Sequence, residues 1–346
     1  MEAVHIGVIG TGAMGRRHCR VYSNMRHTKL VGVFDADPEV GSQVAEQYGV
    51  ISYERIDDLL EDVEAVSLAT PTPLHFDLAM YCLARGVHLL IEKPIAETLK
   101  QAETLTEAAE ASDMIVQVGH IERFNPAYNE LKHVLEGMTV LAINLRRLSA
   151  YEGSNTDVDV ISDLMIHDID LALDLVRQKL LSIDAYGLTV FSDALDHVVA
   201  HLGYKEGPLL SMTASRVTEQ KIRSIEVTAR EAYVEGDLLN KAISVHRRTF
   251  GEYVSQNHGG VKYRQESVVE RIYVPIFEPL FLELQHFVNC VLKGSPPLVT
   301  ARDGLEALRL ASTIRNVARQ RRVDVIRESR SLHYGMVEPT ATYVQD

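Results

Sequence analysis

Val4-His5-Ile6-Gly7-Val8-Ile9, followed at once by Gly10-Thr11-Gly12-Ala13-Met14-Gly15, is the stretch that decides the fold. A short β-prone run leads into G-x-G-x-x-G, and a helical pattern begins near Met14. In that setting the first glycine permits a tight turn. The second lets a pyrophosphate approach the backbone, and the third lets the helix pack on the strand. Free N–H groups at the helix start then face the phosphates. Gly10, Thr11, Gly12, Ala13, Met14 and Gly15 are therefore expected to cradle a dinucleotide.

The next strand, Leu30–Phe34, ends at Asp35, about 20 residues beyond Gly15, where a dinucleotide site wants an acid. A carboxylate there accepts from ribose hydroxyls and repels a 2′-phosphate. Ala36 follows with no arginine beside it, so NAD is expected rather than NADP. Further strands at 65–69, 88–91 and 115–119 alternate with helices at 76–85 and 99–111. This alternation implies a doubly wound parallel sheet, a Rossmann-like α/β domain over residues 1–120. Two of its strands end in distinctive turns. One is Thr70-Pro71-Thr72-Pro73-Leu74-His75. The other is Glu92-Lys93-Pro94, which puts a carboxylate and an ammonium group where such sheets bind ligands, before an X-Pro bond able to take the cis form.

Residues 121–325 read as a second, α+β domain. A strand at 139–149 precedes a polar stretch and then a largely buried helix from Val160 to Val176. Asp163 and His167 are four apart on it, so an α-helix would put them on one face. Seven β-rich stretches follow, at 185–192, 197–204, 209–217, 224–230, 232–235, 242–250 and 266–273. They suggest a large, mostly antiparallel sheet with helices on one face and an open face on the other. Open apolar faces are normally buried between subunits, so a homodimer or homotetramer is expected. Helices at 279–293 and 301–319 follow, the last able to pack back on the first domain. The tail 326–346 has no clear period.

Composition narrows the classes. A net charge of −13 argues against nucleic acid as a partner. Cys19, Cys82 and Cys290 are far apart, give no metal spacing and suit a reducing cytoplasm. No apolar run is long enough for a membrane span, and the N-terminus reads as a strand almost at once. A soluble cytoplasmic protein without a metal is expected.

Together, Gly10–Gly15, Asp35, Thr70–His75, Glu92-Lys93-Pro94 and Gly119-His120-Ile121-Glu122-Arg123-Phe124-Asn125-Pro126 resemble the glucose-fructose oxidoreductase, inositol dehydrogenase and rhizopine-catabolism (Gfo/Idh/MocA) family. The resemblance implies a Rossmann domain joined to an α+β domain with a broad sheet, and NAD-dependent oxidation of a sugar hydroxyl. It makes Lys93, Asp163 and His167 the catalytic group. His167 would take the hydroxyl proton, Asp163 would orient its ring, and Lys93 would stabilise alkoxide charge. Thr70, Pro71, His75, Glu92 and Lys93 would join Gly10–Gly15 and Asp35 around NAD.

The 119–126 motif and the string Asp163–Asp170 resemble UDP-sugar members, especially UDP-N-acetylglucosamine 3-dehydrogenases, whose keto product an aminotransferase would consume. His120, Arg123, Arg147, Tyr151 and Asn155 are then candidates for substrate contacts, with Arg146 and Arg216 as further cations for a diphosphate. A free polyol dehydrogenase and a silent NAD-binding regulator are the other readings.

Overall fold

The computed structural model describes residues 3–151, 158–191, 193–254 and 261–324, with the backbone alone over 248–254, 261–267 and at 324. Asn155 and the tail 326–346 lie outside the described residues. The first sheet contains β1 (Val4–Ile9), β2 (Thr28–Phe34), β3 (Ile51–Ser52), β4 (Ala65–Leu68), β5 (His88–Glu92) and β6 (Val116–Gly119). All pairs are parallel, in the order β3-β2-β1-β4-β5-β6. The order reverses at β1 and β4, which opens a ligand crevice at their carboxyl ends. Helices α1 (Ala13–Tyr22), α2 (Pro38–Tyr48), α3 (Ile56–Asp62), α4 (His75–Leu83) and α5 (Leu99–Ala111) link these strands. The sequence reading did not single out α2 and α3. Asp37 caps α2, accepting from the N–H of Glu39 at 3.0 Å.

Parallel strands buried on both faces are apolar throughout, and Leu89, Leu90 and Ile91 of β5 are all fully buried. Leu89 and Ile91 pack with the α4 and α5 side of the sheet, and Leu90 with the α1 side. This alternation sets where Glu92 points.

The second sheet contains β7 (Val140–Leu148), β8 (Leu180–Thr189), β9 (His197–Tyr204), β10 (Leu209–Ser215), β11 (Ile222–Ala229), β12 (Tyr233–Asp237), β13 (Ala242–Val254), β14 (Val261–Ile272) and β15 (Arg322–Asp324). Its order is β14-β13-β12-β11-β7-β10-β9-β8-β15, antiparallel except where β7 meets β10 and β8 meets β15. The expected strand at 185–192 begins earlier, at Leu180, because the mostly polar or exposed run 180–184 hides the alternation. Helices α6 (Pro126–Leu135) and α7 (Ile166–Leu175) cover one face. Tyr186, Leu209 and Val269 stand on the other, each more than half exposed.

The chain then returns. Helix α8 (Pro279–Lys293) lays Leu280, Leu284, Phe287 and Val288 against α1 and the first sheet. Helix α9 (Ala301–Gln320) starts with a capping box between Thr300 and Asp303. It sends Leu305 and Leu308 into the first core and Ala307, Leu310 and Ile314 into the second. Each fully buried Leu or Phe contributes roughly 1.5–3 kcal/mol, so α9 ties the two sheets together.

The turn at the crevice allows no bulk. Gly10 has φ +86°, and a Cβ on Gly15 would stand 1.9 Å from the Gly10 carbonyl oxygen. Gly15→Ala should push α1 away from β1, lowering stability by about 1–3 kcal/mol and weakening dinucleotide binding at least tenfold. Urea denaturation and NAD titration read these out, and unchanged values in both would refute the close-packing argument.

Candidate active site

The dinucleotide crevice fits its expected occupant. α1 begins at Gly12 with no side-chain cap, leaving its first N–H groups open, and nothing lies within 4 Å of the position a Gly12 Cβ would take. Asp35 stands at the end of β2, as expected, but part of its acceptor capacity is used. One oxygen accepts from the Thr11 N–H at 2.6 Å and hydroxyl at 2.7 Å, the other from the Asp37 N–H at 3.0 Å. Burial opposes its charge, yet these bonds, with Arg16 nearby, hold its carboxyl below the usual carboxylate range. Arg16 comes from α1, so the residues beside Asp35 in sequence could not reveal it. Thr70 Oγ1 is buried without a hydrogen-bond partner among the described residues.

His75 links two turns. One ring nitrogen lies 2.8 Å from the Pro94 carbonyl and the other 2.9 Å from the Thr70 carbonyl. Burial lowers its pKa, so the ring is neutral and donates to one carbonyl at a time. The Lys93–Pro94 bond is cis.

At the end of β5, Lys93 reaches across to the other half of the chain. Its Nζ donates to the Asp163 carbonyl oxygen at 2.9 Å and lies 3.8 Å from the Asp163 carboxylate. Burial lowers the Lys93 pKa, Asp163 and Glu92 oppose the shift, and Arg147 and Arg223 add to it. His167 is half-buried, its Nδ1 sealed from solvent and without a hydrogen-bond partner among the described residues. Burial first, then Lys93, Arg147, His120 and Arg223, pushes its pKa well below the imidazole norm. The ring is neutral.

The ring-orienting contact that the resemblance implied for Asp163 is not made to Nδ1 of His167. Residues Ile161–Met165 form a π-helical turn before α7. The Asp163 carboxylate lies 3.8 Å from Lys93 Nζ and is not bonded to Nδ1 of His167.

The arginines also need correcting. Arg147 is 2% exposed and lies between Asp168, at 2.8 Å, and Glu122, at 2.9 Å. Arg123 pairs with Asp170 at 2.8 Å and Asp174 at 3.0 Å. Arg216 is held by Asp196 at 2.7 Å. Each is committed to buried carboxylates, so none is free for a diphosphate. Arg146 neighbours Arg147 on β7 and so points to the open face of the sheet. His120 is buried, neither ring nitrogen has a hydrogen-bond partner among the described residues, and it is close enough to Lys93 and Glu92 to feel their charge. Tyr151 stacks on Phe191 with ring centroids 3.9 Å apart.

Arg223 was missed. It stands opposite Arg147 on β11, lies 3.6 Å from Glu122, and acts electrostatically on both Lys93 and His167. Strand register put it there, and no sequence motif marks it. Two clefts flank this centre. One, of about 800 Å³, is lined by Pro71, Thr72, Lys93, Asp163 and Arg319. The other, of about 410 Å³, is lined by Met14, Ile121, Glu122, Arg223 and Lys241.

A dinucleotide crevice facing a half-buried lysine, a carboxylate and a neutral imidazole suits hydride transfer from an alcohol. Residues 4–120 match the model of an oxidoreductase family with an NAD-binding Rossmann fold, Gfo/Idh/MocA. A UDP-N-acetylglucosamine 3-dehydrogenase of Acidithiobacillus ferrooxidans is 30% identical over 315 residues, covering 91% of this chain and 97% of that protein. The chain belongs to the Gfo/Idh/MocA family. A solved structure of the same A. ferrooxidans enzyme superposes with a TM-score of 0.83 at 29% identity, over 93% of this chain and 99% of that one. A scyllo-inositol 2-dehydrogenase of Bacillus subtilis is 25% identical, over 87% of this chain and 90% of that enzyme. As a family member the chain is an NAD-dependent oxidoreductase acting on CH–OH groups, as the motifs implied. Among the described residues no group of side chains could hold a metal ion, and no helix is long and apolar enough to cross a membrane.

Because Arg123 neutralises two buried carboxylates, Arg123→Ala should lower stability by about 3–5 kcal/mol. Denaturant unfolding tests this. A stable variant with only a raised KM would restore the arginine to substrate binding.

Proposed function

We propose that the chain oxidises the 3-hydroxyl of UDP-N-acetylglucosamine to the 3-keto sugar, with NAD as hydride acceptor. The observation that carries the reading is the meeting of Lys93 with Asp163, 2.9 Å across the two halves of the chain, beside neutral His167. The likeness to the A. ferrooxidans enzyme over nearly its whole length supports the substrate.

His167 takes the hydroxyl proton, since a neutral imidazole is the form that can accept it. Lys93 donates to the reacting oxygen and stabilises the charge that develops there. Asp163 holds Lys93 charged and aimed, a different role from orienting the imidazole. Bound NAD would supply the hydride acceptor. Gly10–Gly15 bind its pyrophosphate, Asp35 the adenosine ribose, and Thr70, Pro71, His75 and Glu92 the nicotinamide end. Arg223, the cation beside the reacting pair that is not sealed into a buried clamp, is assigned to the substrate, with His120, Tyr151 and Asn155. We assign residues 1–120 to NAD and 121–325 to substrate and assembly. The open sheet face carrying Tyr186 and Leu209 supports a homodimer or homotetramer, and we assign the protein to the cytoplasm on its three dispersed cysteines. A pyridoxal-phosphate aminotransferase would consume the ketone.

The B. subtilis relative motivates a second reading, in which a free polyol is the substrate. Reduced-cofactor formation from NAD, with a carbonyl trap, separates the two. Turnover is expected with UDP-N-acetylglucosamine, and turnover with inositols alone would discard the nucleotide-sugar reading. His167→Ala should lower kcat about 10²–10⁴-fold, and Arg223→Ala should raise KM about tenfold with stability nearly unchanged.

The pH profile carries a further check. Neutral His167 is required, so kcat/KM should fall as pH drops through its pKa, below the ordinary imidazole value of about 6.5. Charged Lys93 is required, so kcat/KM should fall as pH rises through its pKa, below the ordinary lysine value of about 10.4. An acid limb at or above the ordinary imidazole value would count against His167 as the base.

A further inference from the structure

Behind the Glu-Lys-Pro turn lies a buried polar cluster that the mechanism above does not use. On β5 and β6, Leu90 stands opposite Gln117 and Glu92 opposite Gly119. Leu90 faces α1 and α8, so Glu92 and Gln117 point the same way. From α1, His18 meets Glu92, its Nε2 3.1 Å from a carboxylate oxygen. From α8 comes Glu283, which is 0% exposed. Neither carboxyl oxygen of Glu283 has a hydrogen-bond partner among the described residues, nor has Oε1 of Gln117 or Nδ1 of His18. The other titratable groups in electrostatic reach of the two carboxyls are Lys93 after β5, His75 of α4, Asp170 of α7 and Tyr22 of α1, which Cys19 also acts on. His120, after β6, feels both Glu92 and Asp170.

Two ionised carboxyls buried in this cluster, close enough for Glu92 to act on Glu283, would be costly. Burial, then Glu92 and Asp170, pushes the Glu283 pKa far up. Burial pushes Glu92 the same way, but His18, Lys93 and His75 outweigh it and hold Glu92 ionised. Glu283 is therefore the acid of the pair. Its upward shift costs stability: an unfolded glutamate ionises from about pH 4.3 upward, and the folded protein must keep the proton as pH rises.

We propose that the buried Glu92 and Glu283 carry a single proton, on Glu283, which is released when the cationic, oxidised nicotinamide binds and retained when the neutral, reduced ring binds. The proposal rests on the reading that Glu92 lies at the nicotinamide end of the site. A positive charge near an acid pair favours its ionised form, and only the oxidised ring carries one. The proton passes to solvent and no covalent bond of the cofactor changes. Glu283 touches neither cofactor nor substrate and acts through Glu92, as a positioning residue for charge. By linkage, NAD affinity tightens as pH rises through the pair's pKa, up to about tenfold per pH unit, while NADH affinity does not.

Titration calorimetry of the intact protein in two buffers of different ionisation enthalpy counts the protons exchanged, with no substrate present. NAD binding should release up to one proton per site and NADH binding none. Glu283→Gln, a neutral isostere, should abolish the difference. If NAD and NADH exchange equal numbers of protons in the wild type, the proposal is wrong, whatever the variant does.

Thermal unfolding without cofactor tests the acid itself. Glu283→Gln should match the wild type near pH 4 and become progressively more stable than it as pH rises. A pH-independent difference would mean Glu283 is not protonated, and would overturn the proposal too. Protonation of Glu283 without cofactor-linked release would overturn the part that depends on Glu92. The substrate assay stands apart from all three arms, so failure of the UDP-sugar reading would remain separately visible.

Discussion

Arg147 is the interaction on which the site most depends. Its guanidinium, sealed from solvent, clamps Glu122 of the turn after β6 to Asp168 of α7. These carboxylates come from the exit of the first sheet and from the helix that carries His167, and the arginine comes from the second sheet. A buried charge of either sign would be costly alone. Together the three groups satisfy one another and fix the angle at which the halves meet. A second clamp, Arg123 between Asp170 and Asp174, repeats the device on the same helix.

The clamps also set the chemistry. With Lys93 and Arg223 beside it, Arg147 makes the space around His167 cationic, and burial does the rest, so the imidazole stays neutral. The same field lowers the cost of developing alkoxide charge, since transition-state anions are stabilised by fixed positive groups in a dry site. On the far side of Lys93, ionised Glu92 supplies the opposing negative charge, with protonated Glu283 behind it. The turn carrying the lysine thus separates a cationic centre from an acidic one.

Much of this was legible in the chain. The glycine turn, Asp35 one strand later, the proline turns and the Lys93 and His167 positions stand in short stretches whose residue types directly constrain backbone and charge. The arginines misled for a general reason. Arg123, Arg147 and Arg216 looked like free cations because their partners lie 20 to 51 residues away in sequence. Asp163 misled for the same reason: its partner Lys93 lies 70 residues away in sequence. Arg223 and Glu283 carry no motif, and their roles come from strand register and from the return of α8.

By itself the sequence determined the order of strands and helices, the dinucleotide turn and the types of residue available for proton and hydride chemistry. These follow from local backbone sterics and from the period of apolar residues. Tertiary structure alone decided which arginines are neutralised, which carboxylate faces Lys93 and which acid keeps its proton. Charge and solvation depend on neighbours brought within a few ångströms from distant parts of the chain, and no local pattern encodes those distances.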